Sequence, residues 1–107
     1  MRFIRDIHAE KQASGKPTIS FEFFPFKTPE GEATFFGKTL PALMTANPDY
    51  ASVTYGAGGS TREKTFEIDE RIQNDFDLTT MAHLTCIKHT QAGIGGILDE
   101  AANRGIQ

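Results

Sequence analysis

The chain has 107 residues, of which 38% are hydrophobic, with a net charge of −3 at pH 7 and a pI near 5.5. This balance argues against a dedicated nucleic-acid binder or a polybasic membrane binder, and no apolar run approaches the roughly 20 residues of a transmembrane helix. The opening segment MRFIRDIHAEKQ lacks the apolar stretch of a signal peptide, and the single cysteine, Cys86, excludes an internal disulfide. We therefore expect a cytoplasmic protein with neither a nucleic-acid nor a membrane partner.

The first third of the chain predicts helix, strand and helix. Residues 1–13 predict a short leading helix, and residues 18–24, rich in aromatic and β-branched side chains, predict the first strand. A helical stretch follows over residues 28–46, beginning at a Thr-Pro pair typical of a helix N-terminus. Because Pro41 lies inside this stretch, we expect a kink or two short helices.

The middle of the chain predicts a strand, a glycine-rich loop and a helix. The strand spans residues 50–55, and the loop spans residues 56–59. Ser60 and Glu63 have the spacing of a capping box, which predicts a helix that begins there and reaches about Asn74.

The last third predicts a third strand, over residues 79–85, and a helix over residues 90–103. Apolar residues recur along that helix at the spacing of a buried stripe, namely Ile94, Ile97, Leu98, Ala101 and Ala102. Gly105 is a candidate residue to end the helix, and Ile106 a candidate start of a fourth strand.

Strands that alternate with helices predict parallel strands joined by right-handed crossovers. A parallel sheet needs cover on both faces, which three such units do not supply. A complete (β/α)₈ barrel takes about 250 residues. We therefore expect an α/β fold in which this chain supplies the first three units of a TIM barrel and the start of strand four, with residues 1–17 as a helical lead-in and residues 18–107 as a partial catalytic domain.

Each predicted strand has one apolar face and one face with a polar group near its C-terminal end. On the second face, Glu22, Thr54 and His83 belong to the first, second and third strands. This face points inward in a barrel, toward the rim where barrel enzymes hold their catalytic groups. A purely structural parallel strand would be apolar on both faces, so the pattern predicts a functional site.

Glu22 stands among aromatic residues in the segment FEFFPF. One interpretation is a glutamate at a sheet edge that reaches water past an aromatic cluster. The other is a carboxyl in a water-poor, inward-facing site, where desolvation favours its protonated form. In that second case Glu22 is a candidate general acid.

The loop after the second strand, residues 55–60, lies between a strand end and a helix N-terminus, a position suited to a phosphate or a flat cofactor. It matches neither a Walker loop nor GxGxxG. A tight strand-to-helix turn without any ligand is an equally compatible interpretation.

His83, Cys86 and His89 form the pattern H-x₂-C-x₂-H, which suggests a metal site. Three potential ligands without a fourth, following a strand, are a weak zinc pattern. A histidine that hydrogen-bonds a ligand, or that is satisfied inside the barrel, is the preferred interpretation, so we expect no metal.

Three segments together resemble the methylenetetrahydrofolate reductases, in the order and spacing of that family: SFEFFPFKTPEGE (20–32), PDYASVTYGAGGSTREKT (48–65) and AHLTCIKHT (82–90). The resemblance extends from about residue 18 to the last residue. It implies a flavoprotein with a (β/α)₈ barrel that passes hydride from NADH or NADPH through FAD to 5,10-methylenetetrahydrofolate. The product, 5-methyltetrahydrofolate, serves methionine synthesis, and the parent enzyme is expected to be a homo-oligomer.

The resemblance also implies roles for individual residues. Glu22 occupies the position of the family's general acid, and Thr54 that of the threonine on the nicotinamide and folate side of the flavin. Tyr55, Ala57 and His83 occupy positions that contact FAD. A proton is needed because the methylene bridge must open to a 5-iminium cation before it accepts hydride, and the amine that leaves does so readily only when protonated.

Two departures from the family pattern carry expectations. The family usually has a second proline where this chain has Phe26, so we expect a looser turn after Glu22. The chain also ends before the family's fourth strand and its Arg-Gly-Asp segment, so we expect this piece alone to hold FAD weakly and not to turn over. The alternatives are a non-catalytic remnant or binding fragment and a small metal-binding α/β module that uses His83, Cys86 and His89.

Overall fold

The computed structural model describes residues 2–55 and 62–107. Its elements, in chain order, are α1 (Ile4–Ser14), β1 (Ser20–Phe23), α2 (Pro29–Thr34), a π-helical turn (Phe35–Thr39), α3 (Leu40–Met44), β2 (Tyr50–Val53), α4 (Arg62–Phe76), β3 (Thr79–Ala82) and α5 (Gln91–Asn103). Within the described ranges, no helix combines the length and the apolar character that crossing a membrane requires.

The three strands form one parallel sheet in the order β1-β2-β3, which confirms the α/β class. Gln107 continues the sheet beyond β3, because its N–H donates to the Thr80 carbonyl at 3.2 Å and its carbonyl accepts from the Ala82 N–H at 2.7 Å. These two bonds are those of a parallel strand, as predicted for the segment that begins at Ile106. Closure into a barrel stays a prediction.

The strands are shorter than predicted. Regular pairing ends at Phe23, Val53 and Ala82, one to three residues before the predicted ends. The ladder nevertheless extends one step further, since the Thr54 N–H donates to the Phe23 carbonyl at 2.9 Å and the His83 N–H donates to the Val53 carbonyl at 3.0 Å. Thr54 and His83 therefore keep the side-chain alternation of the strands that they follow.

The hydrophobic core lies on one face of the sheet, between the strands and the helices. Alternate strand residues contribute to it, as expected for a face with a period of two. Phe23 meets Phe35 of the π turn with ring centroids 4.8 Å apart. The buried members of this core are Phe23, Phe35, Phe36, Leu40, Ala51, Val53, Ile68, Ile72 and Leu78. We call this side of the sheet the covered face and the other side, which carries Glu22, the open face.

The predicted helical stretch over residues 28–46 is divided, as its proline indicated. The Thr28 hydroxyl caps α2 by accepting from the Gly31 N–H at 3.0 Å. In the π turn, the Leu40 N–H donates to the Phe35 carbonyl, five residues back. Pro41, in the first turn of α3, has no N–H, and its ring would clash with the carbonyl four residues before it. The wider turn removes that conflict.

Ion pairs fasten α2 to α4 on the side of the covered face. The Glu32 carboxylate receives the Lys64 ammonium at 2.8 Å and the Arg71 guanidinium at 3.1 Å. The hydrogen bond from Lys64 lowers the pKa of Glu32 and outweighs the effect of its partial burial. These contacts fix the start of α4, which directly follows the loop predicted to contact a cofactor.

Helix α1 packs against the opposite end of the strands. Ile7 is fully buried, and the Lys11 ammonium lies 2.8 Å from the Asp49 carboxylate. Burial raises the pKa of Asp49, but the hydrogen bond from the Ile19 N–H and the Lys11 charge more than offset it, so the pKa is lowered. The ion pair between Lys11 and Asp49 therefore holds α1 against this end of the sheet.

Helix α5 has the predicted extent, with Thr90 as its N-cap and Gly105 in the left-handed conformation just after it, at φ +70°. The predicted buried stripe is only half right. Ile97 is buried against Phe66 and Ile106, whereas Leu98 is 56% exposed, and Ala102 is also exposed. The reason is that the described residues cover only one side of α5, and the column that contains Leu98 and Ala102 points away from it.

Candidate functional site

The candidate site lies on the open face, near the C-terminal ends of the three strands. Glu22 of β1 is in register with Ser52 of β2 and Met81 of β3, so these three side chains form one row. Thr54 and His83 fall in the next row on the same face, because each follows its in-register neighbour by two residues. The sequence-based grouping of Glu22, Thr54 and His83 on one face agrees with this register.

Glu22 and His83 are in direct contact. The Nε2 atom of His83 lies 3.3 Å from Oε2 of Glu22, although β1 and β3 are not neighbours in the sheet. The Ser52 hydroxyl, from the strand between them, donates to the same Oε2 atom in a long hydrogen bond of 3.4 Å. Three strands thus contribute one polar side chain each to a single cluster, which we call the Glu22 cluster.

The predicted water-poor surroundings of Glu22 are not found within the described residues. Its side chain is 51% exposed and that of His83 is 40% exposed. The physical reason is the position of the core, since the helices that form it pack on the covered face. Water therefore reaches the carboxyl from the side that the described residues leave open, and a water-poor site stays a prediction.

Thr54 is half-buried at the edge of the cluster. Its position is fixed from the covered side, because its carbonyl accepts a hydrogen bond of 3.0 Å from the hydroxyl of Thr65, a fully buried residue of α4. This bond holds the end of β2 against the helix that follows the loop. It thereby sets the direction in which the chain leaves the sheet.

Tyr55 pairs with His89, a contact that the sequence did not predict. The phenol oxygen lies 3.4 Å from Nε2 of His89, so the segments that follow β2 and β3 are linked to each other. Both side chains are half-buried. Ala57, the glycine-rich loop and Ser60 of the capping box lie outside the described residues.

The H-x₂-C-x₂-H pattern does not form a shared centre in the structure. The two histidines make different contacts, because His83 contacts Glu22 and His89 contacts Tyr55. Cys86 is exposed. Across residues 2–55 and 62–107, no three His, Cys, Asp or Glu side chains lie close enough together to hold a metal ion.

Asp69 is a titratable group that sequence reasoning missed. It lies on α4, fully buried against β3 on the covered face, so desolvation raises its pKa to about 8 despite the opposing influence of the Thr80 hydroxyl. Neither carboxylate oxygen, nor that hydroxyl, has a hydrogen-bond partner of good geometry in the described part of the chain. The available signal was its helical spacing from Thr65 and Ile72, which places it on the buried side of α4.

An open groove of about 590 Å³ adjoins the Glu22 cluster along β1. Glu22 stands at its margin, and its lining is mainly apolar, with Phe24, Phe26, Phe35 and Leu43. Glu22 therefore lies between an apolar surface on one side and the polar groups Ser52 and His83 on the other.

Comparison with known proteins relates the chain to one family. The model of the methylenetetrahydrofolate reductase family matches residues 6–107. A probable methylenetetrahydrofolate reductase (NADH) of Oryza sativa subsp. japonica is 38% identical over 100% of this chain and 18% of its own length. Methylenetetrahydrofolate reductase (NADH) 1 of Arabidopsis thaliana is 40% identical over 87% of this chain and 16% of its own length. The 5,10-methylenetetrahydrofolate reductase of Escherichia coli (strain K12) is 35% identical over 90% of this chain and 32% of its own length. The chain thus spans less than a third of each of these relatives.

Proposed function

The chain belongs to the methylenetetrahydrofolate reductase family, and from that premise we propose that it carries the proton donor and part of the flavin site of such an enzyme. The proposed reaction reduces 5,10-methylenetetrahydrofolate to 5-methyltetrahydrofolate, with FAD as cofactor and a nicotinamide as hydride donor. NADH is the donor for which the plant relatives are named, and NADPH is the alternative. The observation that carries the proposal is the Glu22 cluster.

Glu22 is the proposed general acid. A carboxylic acid donates a proton usefully when it is held within hydrogen-bond reach of the atom that receives it. In this reaction the receiving atom is the amine nitrogen that leaves as the methylene bridge opens. The proton passes from the Glu22 carboxyl to that nitrogen, and the carboxylate that remains keeps the hydrogen bond from Ser52 and the contact with His83.

The residues around the cluster fit a flavin. FAD bound there would supply the hydride transfer from the nicotinamide to the opened folate, which is chemistry that no side chain supplies. Tyr55 and His83 offer an aromatic ring and a polar ring at neighbouring strand ends, both with part of their surface free. We propose that these two residues, with Thr54 and Ala57, contact the cofactor.

The barrel and the setting belong to the same proposal. Three parallel strands, with Gln107 bonded beyond the third, are what the first part of a TIM barrel requires. Since the chain spans 16% to 32% of its relatives, we propose that further chain completes the barrel and excludes water from Glu22. The 107 residues alone would then be inactive, and the complete enzyme would be a cytoplasmic homo-oligomer in methionine and one-carbon metabolism.

The test uses the full-length natural polypeptide that contains this sequence. Its visible spectrum should show a flavin, which anaerobic NADH or NADPH bleaches and methylenetetrahydrofolate restores. Glu22→Gln should leave bleaching intact and slow the restoration by about 10²-fold or more, because the isosteric amide cannot donate the same proton. Glu67→Gln, the same change at an exposed position of α4, is the matched control and should affect neither step.

Two results would contradict the proposal. A colourless wild-type protein that does not oxidise NADH or NADPH would favour a non-catalytic binding role. Equal loss of both half-reactions in Glu22→Gln would mean that Glu22 supports the flavin site in general and is not the acid.

A further inference from the structure

Ser52 is the smallest side chain of the Glu22 cluster, and it lies on the strand between the other two members. It lies on the middle strand, in register with Glu22, and only 6% of its surface is exposed. Adjacent strands lie about 4.8 Å apart, so side chains on β1 and β3 are separated by about 10 Å at their bases. Glu22 and His83 nevertheless lie 3.3 Å apart, so their side chains reach toward each other across β2.

The size of the side chain at position 52 determines whether Glu22 and His83 can make this contact. A serine side chain is short enough to lie beneath the contact of 3.3 Å between Glu22 and His83. A branched side chain at the same place would project into the space that the carboxyl and the imidazole occupy. The hydroxyl adds a second effect, since it donates to the carboxyl from below at 3.4 Å.

The two contacts also distinguish the oxygens of Glu22. Both the Ser52 hydroxyl and Nε2 of His83 lie against Oε2, and Oε1 receives neither. The Ser52 hydroxyl and His83 therefore hold the carboxyl by one oxygen and leave the other without a contact from either side chain.

We propose that Ser52 is a positioning residue, which through its hydroxyl and its small size holds the Glu22 carboxyl against His83. This inference rests on the proposed function, because it assigns to Ser52 a part in the proton transfer from Glu22. Ser52 itself does not touch the reacting atoms. Its effect is confined to the orientation of the acid.

Three substitutions in the full-length polypeptide separate the hydroxyl from the size. Ser52→Ala keeps the space and removes the donor, while Ser52→Thr and Ser52→Val have the same shape and differ by a hydroxyl. We expect Ser52→Ala to slow the folate half-reaction by about three- to tenfold, the range of a net hydrogen bond, with KM for the folate unchanged. Ser52→Thr should retain more of the rate than Ser52→Val. Ser20→Ala, at an exposed position on β1, is the matched control and should behave as wild type.

The pattern across half-reactions shows whether the role is positioning or merely structural. Flavin reduction by the nicotinamide needs no proton from Glu22, so its rate should stay within about twofold in Ser52→Ala. Equal slowing of both half-reactions, a wild-type rate in Ser52→Ala, or wild-type rates in both the Thr and Val variants would each overturn the proposal.

Failure of the proposed function is recognised separately. If the wild-type protein holds no flavin, the reductase assignment fails whatever Ser52 does, whereas a normal rate of flavin reoxidation in Glu22→Gln removes only the role of Glu22 as the acid. A crystal structure of Ser52→Val still decides the geometric claim in that case. Separation of Glu22 from His83 supports it, and an unchanged contact between them refutes it.

Discussion

The two faces of the sheet use the same three strands in opposite ways. On the covered face, Val53 of β2 and Ile72 of α4 are completely buried in an apolar core. On the open face, one residue away along the strands, Ser52 and Glu22 make polar contacts and Glu22 remains half-exposed. The covered face therefore stabilises the fold, while polar groups on the open face cost little stability.

Two carboxyl groups show the same difference between the faces. Asp69, on the covered side, is buried without a hydrogen-bond partner of good geometry in the described residues, and desolvation raises its pKa. Glu22, on the open side, has two polar neighbours and access to water. We therefore expect the stability of the chain to depend on the protonation of Asp69.

The largest expected effect on stability comes from the covered face. Ile72→Ala removes a fully buried side chain from the core and should lower the free energy of unfolding by about 2–5 kcal/mol. Met81→Ala, on the half-buried open face, is the matched comparison and should cost clearly less. Urea denaturation of this chain, followed by far-UV circular dichroism because it has no tryptophan, measures both. If the two variants lost the same free energy of unfolding, the side chains on the open face would also be packed in a core.

A smaller effect should appear as a dependence of stability on pH. The folded-state pKa of Asp69, about 8, lies above its unfolded value of about 3.9, so the folded chain binds the proton more tightly. Its stabilising contribution is complete below the unfolded pKa and is lost as the pH rises through 8. Between pH 5 and pH 7, the free energy of unfolding should fall by roughly 1 kcal/mol per pH unit relative to Asp69→Asn, which cannot titrate. Identical pH profiles for the two proteins would contradict the raised pKa.

The smallest effect concerns the exposed column of α5. Leu98→Lys should change the free energy of unfolding of this chain by less than about 0.5 kcal/mol, because Leu98 is largely exposed. Ile97→Lys, one residue earlier and buried, is the contrasting variant and should be strongly destabilising. A large decrease in the free energy of unfolding of Leu98→Lys would show that the column of α5 that contains Leu98 and Ala102 is covered.

Local chemistry explains which features could be predicted from the sequence. Pro41 divides a helix because of its own covalent structure, and strand alternation places Glu22 and His83 on one face whatever surrounds them. Periodicity shows that Leu98 can share a stripe with Ile97, but it does not show how widely a neighbour covers the helix.

The features that could not be predicted depend on tertiary packing. Tyr55 and His89 are 34 residues apart and meet only because parallel strands end at the same edge of the sheet. Asp69 lies in a helix rich in charged residues, where an acidic side chain is usually solvated. The exposure of Glu22 depends on which elements pack above it, which the residues around it in the sequence do not determine.

Because of the π turn before Pro41, the number of residues between α2 and α3 matters as much as their identity. Its additional residue lets the consecutive rings of Phe35 and Phe36 both enter the core, with centroids 5.0 Å apart. Deletion of one residue there would restore an ordinary α-helix and rotate everything after it by about 100°. Leu40, now completely enclosed, would leave the core. The segment should therefore accept many replacements of its side chains during evolution, but no insertion or deletion of a single residue.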